Sequence, residues 1–298
     1  MKQSDLPPGY QLDKRQIRRA FSRAAASYDE AAVLQREVGE RLAMRLDYIR
    51  IKPDTILDLG AGSGASLPHL QSRFRRARVF AVDFSETMLR YALRRGSWLK
   101  RPRVICSDAR HLPFRDQSID LVFSNLMLQW CRPEEDYLAE VRRVLRGGGL
   151  FLFSTFGPDT LRELRQAFQA VDDRPRIHDF ADMHDIGDLL LTTGFREPVV
   201  NMEMFTLTYA DVQAVLRDLK AVGATNAAAA RTRGLSGRAA LRNLEHAYET
   251  FRTADGRLPL SYEVIYGAAW AGDAPPPSRL PVSPDFSQGR VAGLLKVE

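Results

Sequence analysis

Five short apolar runs recur along the chain, TILDLG (55–60), RVFAVDF (78–84), RVICSDA (103–109), IDLVFSN (119–125) and GLFLFSTF (149–156), separated by charged, helix-forming stretches. Runs of this length bounded by turn residues are strands, and the spacing between them leaves room for crossover helices. Such alternation builds a parallel sheet covered by helices on both faces. The expected fold is therefore α/β and Rossmann-like. PVVNMEMFTLTY (198–209) and LPLSYEVIYGAAWAG (258–272) add two more strands, giving seven in a mostly parallel sheet.

The rest of the chain is arranged around this core. Residues 1–44 form an N-terminal segment in which RQIRRAFSRAAASYDEAAVLQREVGERLAMRL (15–46) predicts one or two helices, with a break near AAASYDEAA. Residues 45–208 form the core domain, where Asp159 is placed to cap a helix and DMHDIGDLLLTTGF (182–195) reads as another. Residues 209–257 are a helical insertion, two helices joined by the arginine-bearing loop TNAAAARTRGLS, and a candidate lid. Residues 258–272 are the final core strand, and the proline-rich, aperiodic stretch 273–298 is expected to be a disordered tail.

Composition excludes several classes. The 45% hydrophobic content suits a globular chain. The N-terminus lacks the apolar core of a signal peptide and no run is long enough to span a membrane, so a soluble, cytoplasmic protein is expected. Cys106 and Cys131 form no CxxC pair, and the spacing of His111, His178 and His184 supports no metal site, so none is expected. The formal charge of +6 and pI near 9.5 favour an acidic partner: nucleic acid, anionic membrane or acidic protein.

After the first run, LDLGAGSGAS places Gly60, Gly62 and Gly64 at every second position. Glycine permits positive φ and lacks Cβ, so a ligand can pack directly on the turn between strand and helix. With Ala65 in the third place the stretch also fits a dinucleotide fingerprint, and Asp83 follows where such a fold holds a ribose. A nicotinamide cofactor is thus one legitimate reading. Asp58, two positions before the first glycine, favours another, because a carboxylate there can pair with a cationic amino group and does nothing for a pyrophosphate. Asp108, at the end of the third run, adds a third acid beside the same crevice.

In this combination the sequence resembles the class I methyltransferases that bind S-adenosylmethionine, over Leu57 to Phe156. LDLGAGSG matches the glycine motif and AVDFSETML the ribose segment, with Asp83 and Phe84. CSDARHLPF, with Asp108 and Ala109, matches the adenine segment, and IDLVFSN closes the site with Asn125. Asp58, Gly60, Gly62 and Gly64 complete the implied cofactor set. The tetrapeptide SNLM lacks the (D/N)PP(Y/F) of amino-methylating nucleic-acid enzymes, which demotes nucleic acid as acceptor.

The flanking segments FSRAAASYDEAAVLQREVGERL, SNLMLQWC, FGPDTLRELRQAFQAVD, RDLKAVGATN and LPLSYEVIYGAAW are similar to the malonyl-acyl carrier protein O-methyltransferases, from about Arg15 to Gly272. The resemblance implies methyl transfer from S-adenosylmethionine to the free malonyl carboxylate on an acidic acyl carrier protein, giving the ester primer of pimeloyl (biotin) synthesis. It implies no nucleic-acid or membrane partner. A carboxylate is already ionised at neutral pH, so a clamp is expected rather than a base. Arg231, with Arg233 and Arg238 behind it, is the candidate clamp, because arginine offers a bidentate fork to a carboxylate. Tyr28 is the candidate cover for the methionine end. Gln129 and Trp130, with Asn125, stand at the carboxyl edge where open α/β sheets bind ligands. DKRQIRR (13–19) and the Arg231 to Arg238 region are candidate patches for the carrier protein. FGPDTLRELR and LPLSYEVIYGAAW also resemble a complex I assembly factor of the same superfamily; a small-molecule carboxyl methyltransferase and a non-catalytic scaffold are further alternatives.

Overall fold

The computed structural model describes residues 12–95, 101–131, 134–171, 176–224, 238–272 and 295–296. Each of the five apolar runs is a strand: β1 (Thr55–Leu59), β2 (Arg78–Asp83), β3 (Arg103–Cys106), β4 (Ile119–Ser124) and β5 (Leu145–Phe156). These five are mutually parallel. Every residue of β1 is buried, as befits a central strand covered on both faces.

The chain returns through β6 (Phe195–Tyr209) and then β7 (Leu258–Ala271), which inserts between β5 and β6 and runs antiparallel to both. A two-residue strand, β8 (Leu295–Lys296), pairs in parallel with β6, so the order is β3-β2-β1-β4-β5-β7-β6-β8. Two residues of the expected tail thus belong to the sheet, on the edge where β6 offers backbone groups for pairing. The order reverses between β1 and β4, which opens a crevice at their carboxyl ends.

Side chains on alternate faces of the strands build two cores. Ile56, Phe123 and Leu152 meet α3 (Val33–Met44), α4 (Leu67–Arg73) and α5 (Glu86–Arg95). Leu57, Val122 and Phe151 meet α6 (Glu134–Val144) and α8 (Met183–Thr192). Period-two alternation along each run is the physical origin of the two layers.

The N-terminal segment contains three helices: α1 (Lys14–Ala24), α2 (Tyr28–Ala31) and α3. The Asp13 carboxylate starts α1 by accepting from Gln16 N at 3.1 Å. After β5, α7 (Arg162–Gln169) is not capped by Asp159 as the sequence suggested. The Asp159 N–H instead donates to Glu263 Oε2 at 2.8 Å, and the helix begins after Leu161, which takes a left-handed φ of 59°. In the insertion, Val215 of α9 (Val212–Ala221) and Tyr248 of α10 (Arg238–Tyr248) join the same core as Tyr262 of β7, so both helices are anchored to the sheet. Their connection lies outside the described residues.

Candidate active site

A cleft of about 760 Å³, counted with the part open to solvent, lies at the carboxyl ends of β1 to β4. The turn after β1 forms its floor. Gly60, Gly62 and Gly64 have φ of 75°, 54° and 83°, conformations that L side chains rarely adopt. A Cβ on Gly64 would fall 2.9 Å from Ala92, so that glycine lets the turn pack against α5. A Cβ on Gly62 would meet nothing within 4 Å, although Gly62 lines the cleft. The backbone there is bare toward open space, which suits a ligand lying against it.

The acids at the strand ends have unlike surroundings. Asp83 ends β2 and is buried; its Oδ2 accepts from Gly62 N at 3.0 Å and its Oδ1 from Ser85 N at 2.8 Å. Burial pushes its carboxyl up to about 6 in spite of these bonds. Asp58 is only 1% exposed, sits behind the turn rather than on the cleft surface, and its Oδ2 has no hydrogen-bond partner. Burial, and then the Asp83 charge, push it up to about 8. A buried carboxyl in this condition ionises readily only when a cation comes to it.

Asp108, beyond the end of β3, is half-buried and already paired. Lys14 Nζ reaches its Oδ2 at 2.5 Å, and Arg110 N donates to its Oδ1 at 3.0 Å. Burial works against ionisation, but the Lys14 ammonium and the Arg110 groups outweigh it and hold the carboxyl below its ordinary range. Ala109 and Phe84 line the same end of the cleft.

Helices α1 and α2 roof the site. Lys14, Ile17 and Phe21 of α1 and Tyr28 of α2 face into it, and the Phe21 ring packs edge-on against Trp130 and Phe84 with centroids 5.5 Å and 6.2 Å away. Burial, followed by the Asp83 and Asp29 carboxylates, raises the Tyr28 phenol, so it is a neutral hydroxyl at pH 7. Asp29 fastens this roof to the floor: its Oδ1 accepts from Ser63 Oγ in the glycine turn, and its Oδ2 pairs with Arg95 of α5, both at 2.5 Å.

Asn125 and Gln129 are placed differently from one another. Asn125 lines the cleft, but its Nδ2 donates to Gln35 O at 2.8 Å and its Oδ1 accepts from Ser154 Oγ at 2.7 Å, so the amide joins α3 to β5. Gln129 is buried outside the cleft lining, donating to Leu126 O and accepting from Thr155 Oγ1. Trp130 does line the cleft, and its far side packs on His178. His184 bonds Asp182 at the start of α8, and among the described residues no cluster of His, Cys, Asp and Glu could hold a metal. Arg231 and Arg233 lie outside the described residues, as does the side chain of Arg238.

Three contributors escaped the sequence reading. Lys14 and Asp29 act across separations of 94 and 34 residues, which no local pattern encodes. Leu126, in SNLM, takes a left-handed φ of 49° while its N–H bonds the Ser154 hydroxyl and carbonyl, and leucine gives no sign of such a turn.

The sheet order, the glycine turn and the strand-end acids define a class I S-adenosylmethionine-dependent methyltransferase. A family described as "Methyltransferase domain" matches residues 57–153, from β1 through β5. The chain is 50% identical over 260 residues to a malonyl-[acyl-carrier protein] O-methyltransferase of Halorhodospira halophila, covering 87% of this chain and 88% of the relative. A relative of the same description from Laribacter hongkongensis is 48% identical, with 92% and 95% covered. Among solved structures, phosphoethanolamine N-methyltransferase 2 of Haemonchus contortus with S-adenosyl-L-methionine shares the fold at a TM-score of 0.52 and 19% identity, over 78% of this chain and 53% of that one. At nearly full length on both sides, these identities place the chain in the malonyl-[acyl-carrier protein] O-methyltransferase family.

The cleft suits the cofactor on its own terms. It offers an unpartnered buried carboxyl oxygen behind the glycine turn, a backbone surface open beside Gly62, and an apolar roof. No helix among the described residues is long and apolar enough to cross a membrane.

Proposed function

We propose that this enzyme transfers the methyl group of S-adenosylmethionine to the free carboxylate of malonyl-acyl carrier protein, giving the malonyl methyl ester. The observation that carries this reading is identity of about half, over nearly the whole of both chains, to relatives named for that reaction. It extends well beyond residues 57–153 into the flanking segments, and so favours this acceptor over the assembly-factor and small-molecule alternatives. The product has the chemistry of a primer, because the ester removes a charge whose burial in an apolar pocket costs several kcal/mol.

S-adenosylmethionine, when bound, supplies a methyl group activated by the sulfonium. The protein's own residues have simpler tasks. Asp58 would face the cationic amino end, Asp83 the ribose hydroxyls and Asp108 the adenine amino group, while the glycine turn leaves room for the chain between them. Tyr28, Phe21 and Trp130 would exclude water from the transfer region, where desolvation strengthens a carboxylate nucleophile. No general base is needed, so alignment carries the rate. Arg231 remains the proposed clamp on the malonyl carboxylate, and the cytoplasm the proposed compartment.

Mass spectrometry of malonyl-acyl carrier protein incubated with enzyme and S-adenosylmethionine tests the reading. The expected result is the gain of one methyl group on the malonyl moiety, lost in Arg231→Ala. Cofactor binding without methylation of any malonyl thioester would overturn it.

A further inference from the structure

Helix α1 has two faces with different work to do. Ile17, Phe21 and Lys14 point into the cleft, whereas Arg15, Arg18, Arg19 and Arg23 are all exposed. Their spacing, i, i+3, i+4 and i+8, sets the four guanidinium groups along one stripe about 12 Å long. No carboxylate among the described residues forms an ion pair with any of them. Exposed arginines without an acid partner also occur elsewhere, as at Arg50, Arg75 and Arg115, but those three are scattered over the surface, whereas α1 sets four of them in one row on the helix that roofs the cleft.

Arg23, in the last turn, suits the helix dipole, but the rest of the stripe works against the helix. KRQIRRAFSRA contains no acidic residue, Arg15 and Arg19, then Arg19 and Arg23, are like charges four apart, and cations occupy the first turn against the helix dipole. Each of these features disfavours the isolated helix. Carboxylates supplied from outside would offset the like-charge repulsion along the stripe.

We propose that the outward face of α1 is the docking surface for the acyl carrier protein, an acidic partner whose carboxylates pair with Arg15, Arg18, Arg19 and Arg23. The proposal rests on the acceptor reading above and adds the surface through which that acceptor is recognised. The opposite face of the same helix roofs the transfer cleft, so a carrier seated on the stripe stands beside the site that its acyl arm must reach. Long-range attraction along the stripe would raise the encounter rate.

The test compares the wild type with Arg15→Glu/Arg18→Glu/Arg19→Glu and the charge-preserving Arg15→Lys/Arg18→Lys/Arg19→Lys. Anisotropy of fluorescently labelled acyl carrier protein, with and without its malonyl group, reads docking independently of methyl transfer. Affinity is expected to fall roughly 10- to 100-fold in the glutamate variant and to remain within about threefold in the lysine variant. Wild-type affinity should weaken with added salt, while S-adenosylmethionine affinity stays at its wild-type value and melting temperature falls in neither variant. Failure of the acceptor reading would look different, since the carrier would still bind through the stripe without being methylated. Unchanged carrier affinity in the glutamate variant overturns the proposal. So does a parallel loss of cofactor affinity, or equal competition by a short oligonucleotide at physiological salt.

Discussion

Asp58 and Asp83 on one side of the cleft and Asp108 on the other stand at the ends of neighbouring strands, yet the fold treats them in opposite ways. The inner pair is buried beneath and beside the glycine turn, and Asp58 Oδ2 has no partner. The outer acid is half-exposed and already joined to Lys14. Burial raises the inner carboxyls to about 8 and about 6, whereas the lysine keeps the outer one ionised below its ordinary range. The inner end is therefore preorganised but electrically incomplete until a cation arrives, while the outer end is complete and has only to accept a hydrogen bond. Binding free energy should concentrate at the inner end.

The largest effect is expected from Asp58→Asn. Removing a buried charge partner should lower S-adenosylmethionine affinity about 100-fold or more, read by calorimetry. Unchanged affinity would mean that Asp58 is a packing residue, and the contrast between the two ends would collapse.

A pH titration sharpens the same point. Free Asp58 is largely protonated below about 8, so binding a cation beside it must release a proton, and wild-type affinity should rise between pH 6 and 8. The free protein should behave in the opposite sense. A carboxyl raised from its ordinary 3.8 stabilises the fold below that value, and the contribution is lost as pH rises through about 8. In Asp58→Asn both dependences should flatten, which calorimetry in buffers of different ionisation enthalpy and thermal melts at pH 5 and pH 8 would show.

Next in size is the tie between roof and floor. Asp29→Ala should weaken cofactor binding roughly tenfold, the worth of one charge-assisted hydrogen bond, and Ser63→Ala in the same background should add little. Additive losses in the double variant would show that the two residues act separately.

The smallest effect belongs to the outer end. Lys14→Gln should cost about threefold in cofactor affinity, diminishing at high salt as expected of a partly exposed ion pair. A loss as large as that of Asp58→Asn would erase the distinction between the two ends.

These contrasts bear on how much of the molecule its residues announce in order. Each of the five apolar runs became a strand, and LDLGAGSG became a turn of positive-φ glycines at the switch point of the sheet. Asp58, Asp83 and Asp108 were legible as a set because each closes a run. Asn125 was legible by position, since it lines the cleft, whereas Gln129 lies outside the lining, and both amides are taken up by bonds to Gln35, Ser154, Leu126 and Thr155. Asp159 looked like a cap, and a buried Glu263 from a distant strand claimed its N–H instead.

The sequence by itself determined the elements, the turn and the acids, because backbone sterics and period-two burial act within a few residues. Only the tertiary structure decided which acid is protonated, which is paired, and what covers the cleft. Those outcomes depend on enclosed volume and on contacts such as Lys14 with Asp108 and Ser63 with Asp29. Desolvation and Coulomb attraction are set by distance in space, and distance along the chain does not contain it.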